Sequence, residues 1–272
     1  MIELTVQEAQ TLKAFTDNNY AQGSFFWAYL IKNKEIRVNG KKVDGDIPVF
    51  AGDTVRYYLT AKQAEKPACY TVYEDDSIIV IDKESGVNAE AVFAHLQRKY
   101  GTDCRFIHRL DRNTRGLMIF ALNEDVERAL LDAFKTRKIG KVYHARCFNV
   151  FEKAHAVLTA YLKKDATRAL VSVSDIPING AEKIITEYTV LTQTQTESKV
   201  EILLHTGKTH QIRAHLAHIG NPVVGDMKYG DTQKNKTQNA TRQCLVAKRL
   251  TLLTSDLPEA LHNKTFESRF EV

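Results

Sequence analysis

Cysteine is scarce in this chain, and what there is lies scattered at positions 69, 104, 147 and 244. No two form a Cys-x-x-Cys pair, which excludes a zinc ribbon and a thioredoxin-type motif and fits a reducing compartment. Long apolar runs are missing too: none approaches the ~20 residues that a membrane helix needs. The opening residues, Met-Ile-Glu-Leu-Thr-Val-Gln-Glu, lack a basic stretch followed by an apolar one, so no signal peptide is expected. A soluble, cytoplasmic protein is the expectation. Charge is poorly biased, with a net +5 that is compatible with RNA but only tilts the balance. No internal repeat is visible, and no cluster of carboxylates of the kind a metal-dependent nuclease uses. What remains is ordinary globular material: 272 residues, 43% hydrophobic and 26% charged, enough for one large domain with or without a small one.

The densest chemical signal runs from His108 to Ala121: His-Arg-Leu-Asp-Arg-Asn-Thr-Arg-Gly-Leu-Met-Ile-Phe-Ala. One carboxylate, Asp111, stands among Arg109, Arg112 and Arg115, and nearby positive charge favours its anion. An ionised carboxylate aimed into a cleft can act as a nucleophile or a general base. The cations beside it can hold a phosphodiester, which points to a nucleic-acid substrate. Taken alone, Arg-x-Asp is more often a surface ion pair of little worth. A kinase catalytic loop also contains His-Arg-Asp, but neither a Gly-rich phosphate loop nor Asp-Phe-Gly accompanies it here.

A second constellation spans Leu204 to Gly230. Its pattern predicts a strand ending at Leu204, a turn at Thr206-Gly207, and a helix N-capped by Thr209 with Ile212, Leu216 and Ile219 on one stripe. Gly220 and Pro222 end that helix. Arg213 falls beside the stripe. Gly207-Lys208-Thr209 mimics the end of a phosphate loop, yet Ile202 occupies a position where that motif demands Gly, so no nucleotide cofactor is expected. Of His210, His215 and His218 only the last two share a helix face, without an acid or cysteine at ligand spacing, so no metal is expected. The third element is Lys141-Val142-Tyr143-His144-Ala145, an alternating strand that puts Tyr143 on the face of Ala145 and Cys147.

Three segments follow from the patterning: a small module over 1–62, a linker over 63–69 and a larger domain over 70–272. In the module the pattern predicts a weakly marked helix near Thr11 to Asn18, a second from Ser24 to Lys32, a hairpin at Asn39-Gly40 and a strand from Thr54 to Leu59. Lys32, Lys34, Arg37, Lys41 and Lys42 crowd the hairpin, a cationic rim suited to RNA phosphates or simply a solvated surface. The polar stretch Ala61 to Pro67 reads as linker. Downstream, a buried strand is expected at Ile78 to Ile81, helices at Ala89 to Tyr100 and Asp125 to Lys135, strands at Lys141 to Val150, Lys183 to Leu191 and Lys199 to Leu204, and a mobile loop at Asp231 to Gln243. Strands and helices mix without a βαβ rhythm, which favours α+β.

The residues from His108 onward resemble the signature of the RluA-type RNA pseudouridine synthases: His-Arg-Leu-Asp, two variable residues, Thr-Ser-Gly-Leu, then an apolar strand ending in Ala. His108, Arg109, Leu110, Asp111, Thr114, Gly116, Leu117 and Ala121 match, with Arg115 in place of Ser. About a hundred residues on, the family's Thr-Gly-Arg-x-His-Gln-Ile-Arg-x-His-Leu and Gly-Asp-x-x-Tyr-Gly are matched from Thr206 to Leu216 and from Gly225 to Gly230, with Lys208 in place of Arg. Lys83-Glu84-Ser85-Gly86 is similar to the family's Lys-Pro-x-Gly, with Glu84 in place of Pro. The 1–62 segment resembles a small RNA-binding module shared by a ribosomal small-subunit protein and many pseudouridine synthases.

The resemblance implies an α+β pseudouridine synthase fold, with a mixed, mainly antiparallel central sheet flanked by helices and loops and a small N-terminal α/β RNA-binding module. It implies isomerisation of specific uridines in ribosomal or transfer RNA, with RNA as partner and no cofactor; the lack of a long apolar run leaves no membrane partner to expect, and a monomer is the default. Asp111 becomes the catalytic carboxylate, Arg213 its ion-pair partner, Tyr143 the residue that stacks on the target base, and Arg109 a support for the opened RNA. A non-catalytic RNA-binding or ribosome-assembly factor derived from a synthase is the alternative. Arg115, Lys208 and Glu84 speak for it; the joint presence of Asp111, Tyr143 and Arg213 speaks against it.

Overall fold

In the computed structural model, which describes residues 1–165, 167 and 170–272, the chain forms two units. One comprises Met1–Arg112 with Met118–Glu127, the other Asn113–Leu117 with Arg128–Val272. The strand Arg115–Ala121 and the helix Glu124–Lys135 are each divided between them.

The first unit begins with a small antiparallel sheet in the order Ile2–Thr5, Thr54–Tyr57, Ile36–Val38, Lys41–Lys42. Val38, Val55 and Tyr57 alternate inward, where they meet Leu12, Phe15 and Leu30 of two helices, Leu12–Asn19 and Ala21–Lys32. The weakly marked first helix is therefore real, and Thr11 caps it by accepting from the Ala14 amide. Burial pushes the Tyr57 phenol up, and its hydroxyl is satisfied by Thr16 Oγ1 at 2.8 Å. The stretch expected as linker starts with a one-turn helix, Ala61–Ala64, closed by a reciprocal capping box between Thr60 and Gln63. That Thr-x-x-Gln spacing was legible in the chain.

Next come Cys69–Glu74 and Ile78–Lys83, an antiparallel pair. Every residue of Ile78–Lys83 is buried, including Asp82 and Lys83. The helix Ala89–Tyr100 sends Phe93 against Phe106 and Phe120, with ring centroids 5.3 and 6.1 Å away.

The second unit carries the larger part of a mainly antiparallel sheet. Its strands run in the order Leu170–Ser174, His155–Asp165, Glu182–Gln193, Glu197–Leu204, Ile139–Phe148, Leu245–Leu252, then the start of Arg115–Ala121. The last pairing, Arg115 to Val246 and Gly116 to Ala247, is parallel, which makes the sheet mixed. Helix Gln211–His218 lies on one face, where Ile212 and Leu216 pack with Ala145, Cys147, Val200 and Ile202. The α+β expectation holds.

Two local expectations fail. Thr209 does not cap the helix; the N-cap is His210, in the left-handed region at φ 54°, and no side chain caps it. The turn is fastened by Gln211 instead, whose Oε1 accepts from Thr206 Oγ1 (2.8 Å) and the Lys208 amide (3.1 Å). The segment expected as a mobile loop contains a helix, Thr232–Thr237, capped by Asp231. Its Asn235 is buried, accepting from the Gly225 amide and donating to the Asp226 carbonyl, a use of a polar residue that periodicity cannot reveal.

Candidate active site

Asp111 belongs to the first unit, half-buried, directly after buried Leu110. Its loop is held from several sides. His108 Nε2 accepts from the Ile119 amide (3.1 Å), which fixes the ring against the strand that follows. The carbonyl of Arg112 accepts from the Gly86 amide (2.9 Å) and from Lys83 Nζ (3.0 Å). Lys83 Nζ also donates to the carbonyls of Glu84 and Val87, both at 2.9 Å. Gly86 turns at φ 88°, where a side chain would be strained. Glu84, which stands where the family has Pro, uses an amide that Pro lacks: it donates to the Ala68 carbonyl at 2.9 Å. Burial drags Lys83 from its ordinary value down to about 7, and attraction to Asp111 is the leading influence holding it up.

The three arginines that flank Asp111 in the chain also reach groups elsewhere along it. Arg109, largely exposed, pairs with Glu90 at 3.1 Å. Arg112 pairs with Asp17. Arg115 is buried, donates to the Glu271 carbonyl at 2.5 Å and lies over the Phe270 ring. Lys83, which sequence reasoning left out of the site, is buried in this unit, and attraction to Asp111 opposes the effect of that burial.

Arg213 lies in the second unit, buried on the helix Gln211–His218. Asp226 grips it with two bonds, Nε to Oδ2 at 2.6 Å and Nη2 to Oδ1 at 2.9 Å. Oδ1 accepts further from the amides of Lys228 (2.8 Å) and Tyr229 (3.1 Å). Burial alone would raise the Asp226 carboxyl; the Arg213 contacts and those amides outweigh it and hold it below the usual range. The guanidinium also lies over the Tyr229 ring, whose hydroxyl meets His210 Nδ1 at 2.7 Å and accepts from the Val171 amide. Gly225 has no room for a side chain, because a Cβ there would stand 1.9 Å from the Arg242 carbonyl oxygen.

Tyr143 is half-buried on Ile139–Phe148, opposite Ile202, and packs on the cluster that includes Ile212 and Leu216 of the Arg213 helix. His215 and His218 are engaged by Thr186 and Asp175 respectively. Among the described residues no three of His, Cys, Asp and Glu converge as metal ligands.

Lys32, Lys34, Arg37, Lys41 and Lys42 all lie on the small N-terminal sheet or its flanks, and all but half-buried Arg37 are exposed. Arg37 sits opposite Lys42 on one side and Arg56 on the other, a row of like charges across three strands. Such a row is unfavourable by itself. Arg56, paired with Glu3, is a cation that the sequence reading did not single out.

A family model described as RNA pseudouridylate synthase matches residues 63–218. The ribosomal large subunit pseudouridine synthase D of Buchnera aphidicola is 28% identical over 256 residues, 82% of this chain and 78% of that protein. An uncharacterized RNA pseudouridine synthase of Chlorobaculum parvum is 30% identical over 264 residues, covering 88% of this chain and 80% of its own. Among solved structures, the human RNA pseudouridylate synthase domain containing 1 protein superposes with a TM-score of 0.61 at 25% identity, over 70% of this chain and 80% of that one.

Proposed function

Because the chain belongs to the RNA pseudouridylate synthase family and is thus an enzyme that isomerises uridine in RNA, we propose that Asp111 is its catalytic carboxylate and ribosomal RNA its substrate. The observation that carries this is the anchoring of the Asp111 loop, by Lys83, Gly86 and His108, in a chain that also supplies a buried Arg213 and a half-buried Tyr143. The names of the curated relatives favour the large-subunit RNA as target, and a cytoplasmic location suits that substrate.

In the reaction the N1–C1′ bond breaks, the freed uracil turns, C5 bonds to C1′, and the C5 proton leaves as N1 regains one. Nothing is oxidised or lost, so the chemistry calls for neither a redox cofactor nor a nucleotide, and a monomer suffices. Asp111 acts at the sugar, attacking C1′ or removing the C2′ proton. Arg213 pairs with Asp111, as the family resemblance implies, while Asp226 fixes its orientation. Tyr143 stacks on the base once it has left its neighbours. Arg109 supports the opened backbone. Residues 1–62 form the RNA-binding module, where Lys32, Lys34, Arg37, Lys41 and Lys42 meet phosphates and position the substrate without reading its sequence.

The test is to incubate the purified protein with ribosomal RNA lacking pseudouridine and map the isomer base by base. One or a few discrete sites are expected. RNA left unmodified would overturn the reading.

A further inference from the structure

The ion pair between Asp17 and Arg112 has no part in the chemistry above, yet it reaches the residue next to Asp111. Asp17 sits near the end of the helix Leu12–Asn19 and is only 8% exposed. Besides Arg112, its carboxylate accepts from Lys13 Nζ (2.5 Å) and Ser24 Oγ (3.2 Å). The same helix end is fastened to the helix Ala89–Tyr100 and its cap: Asn88 donates to Asn18 at 2.9 Å, and Arg98 to the Asn19 carbonyl.

Arg112 is thus gripped at both ends. Its side chain is held by a helix of the small N-terminal module, and its carbonyl by Lys83 and the Gly86 turn. We propose that Asp17 is a positioning residue for the isomerisation, coupling the RNA-binding module to the backbone that carries Asp111. The idea rests on the reading of Asp111 as the catalytic carboxylate. Asp17 keeps the Arg112 guanidinium engaged; without that partner, the nearest carboxylate along the chain is Asp111 itself, and a cation drawn onto it would pull it from its working geometry.

The experiment is a double-mutant cycle with Asp17→Asn and Arg112→Gln in the full chain, measured on the RNA that the mapping identifies. Asp17→Asn should lower kcat by about tenfold or more, as small displacements of reacting groups do. KM and the dissociation constant for RNA should stay within about twofold, because ground-state binding is untouched. The double variant should be no slower than the slower single, and Asp17→Glu should recover part of the loss. Thermal melting of each variant, run alongside, must lie above the assay temperature. A folded Asp17→Asn variant with unchanged kcat, a defect confined to KM, or losses that multiply in the double variant would overturn the coupling. If the native chain makes pseudouridine and Asp111→Asn does not stop it, the underlying assignment fails instead.

Discussion

The guanidinium of Arg213 and the carboxylate of Asp226 form a bidentate pair, at 2.6 and 2.9 Å, in which the side chains are 8% and 0% exposed. A planar fork on a planar carboxylate fixes both position and tilt, which a lysine would not. The family motif Gly-Asp-x-x-Tyr-Gly thereby acquires a reason. Its Asp orients the arginine, its Tyr lies under it, and its first Gly lets the loop close against the Arg242 carbonyl.

Breaking that pair from the carboxylate side leaves a buried cation with its matched acceptor gone. Asp226→Ala should cost about 1.5–3 kcal/mol of stability, the worth of hydrogen bonds to a charged group. Activity should fall with it, even at temperatures where the variant remains folded. Urea unfolding and a turnover assay on the same preparation check this; stability within 1 kcal/mol, roughly, of the native chain would contradict the pairing.

Asp111→Asn removes a charge and keeps the shape. Pseudouridine formation should drop below detection while RNA affinity survives within about threefold. Turnover by the asparagine variant would remove Asp111 from the chemistry.

Lys83 carries a pH signature. Its pKa is about 7 in the fold, against an ordinary 10.5. Between those values the unfolded chain holds a proton that the folded one has released, so this residue makes stability rise with pH from about 7 towards 10. The slope is at most about 1.4 kcal/mol per pH unit. Over the same range the ammonium loses one of three donated hydrogen bonds and its charge towards Asp111. Activity should therefore fall as the fold becomes more stable. Denaturant titrations at pH 7 and 9, with Lys83→Met as the comparison, should show the stability slope in the native chain and lose it in the variant.

The exposed lysines of the hairpin make a graded test of RNA grip. Replacing Lys41 and Lys42 by Gln should raise the dissociation constant for RNA and leave kcat at saturation intact. Each lost phosphate contact should flatten the salt dependence of log K by about 0.7–0.9. An unchanged salt slope would take this hairpin out of the RNA contact. Deleting 1–62 outright is a less clean test, because it also removes Asp17 from Arg112.

By itself, the order of residues determined a good deal here. The unbroken apolar run Ile78 to Ile81 marked a strand buried on both faces, while the 3.6- and 2-residue periods marked the helix Ala89–Tyr100 and the alternating strand that carries Tyr143, because those patterns record which side of a local element faces the core. Asn39-Gly40 and Thr60-x-x-Gln63 are equally local, since turns and caps close within four residues. Partner choice was not local. Arg112 meets Asp17, Arg115 meets the backbone at Glu271, Asp226 grips Arg213, and buried Lys83 is fastened to three backbone carbonyls, that of Arg112 among them. Proximity along the chain named the arginines beside Asp111 but not Asp17 or the Glu271 backbone that two of them reach. Electrostatics acts through space, however, and only the tertiary fold could settle which opposite charges meet and which polar groups, such as Asn235, are shut away from water.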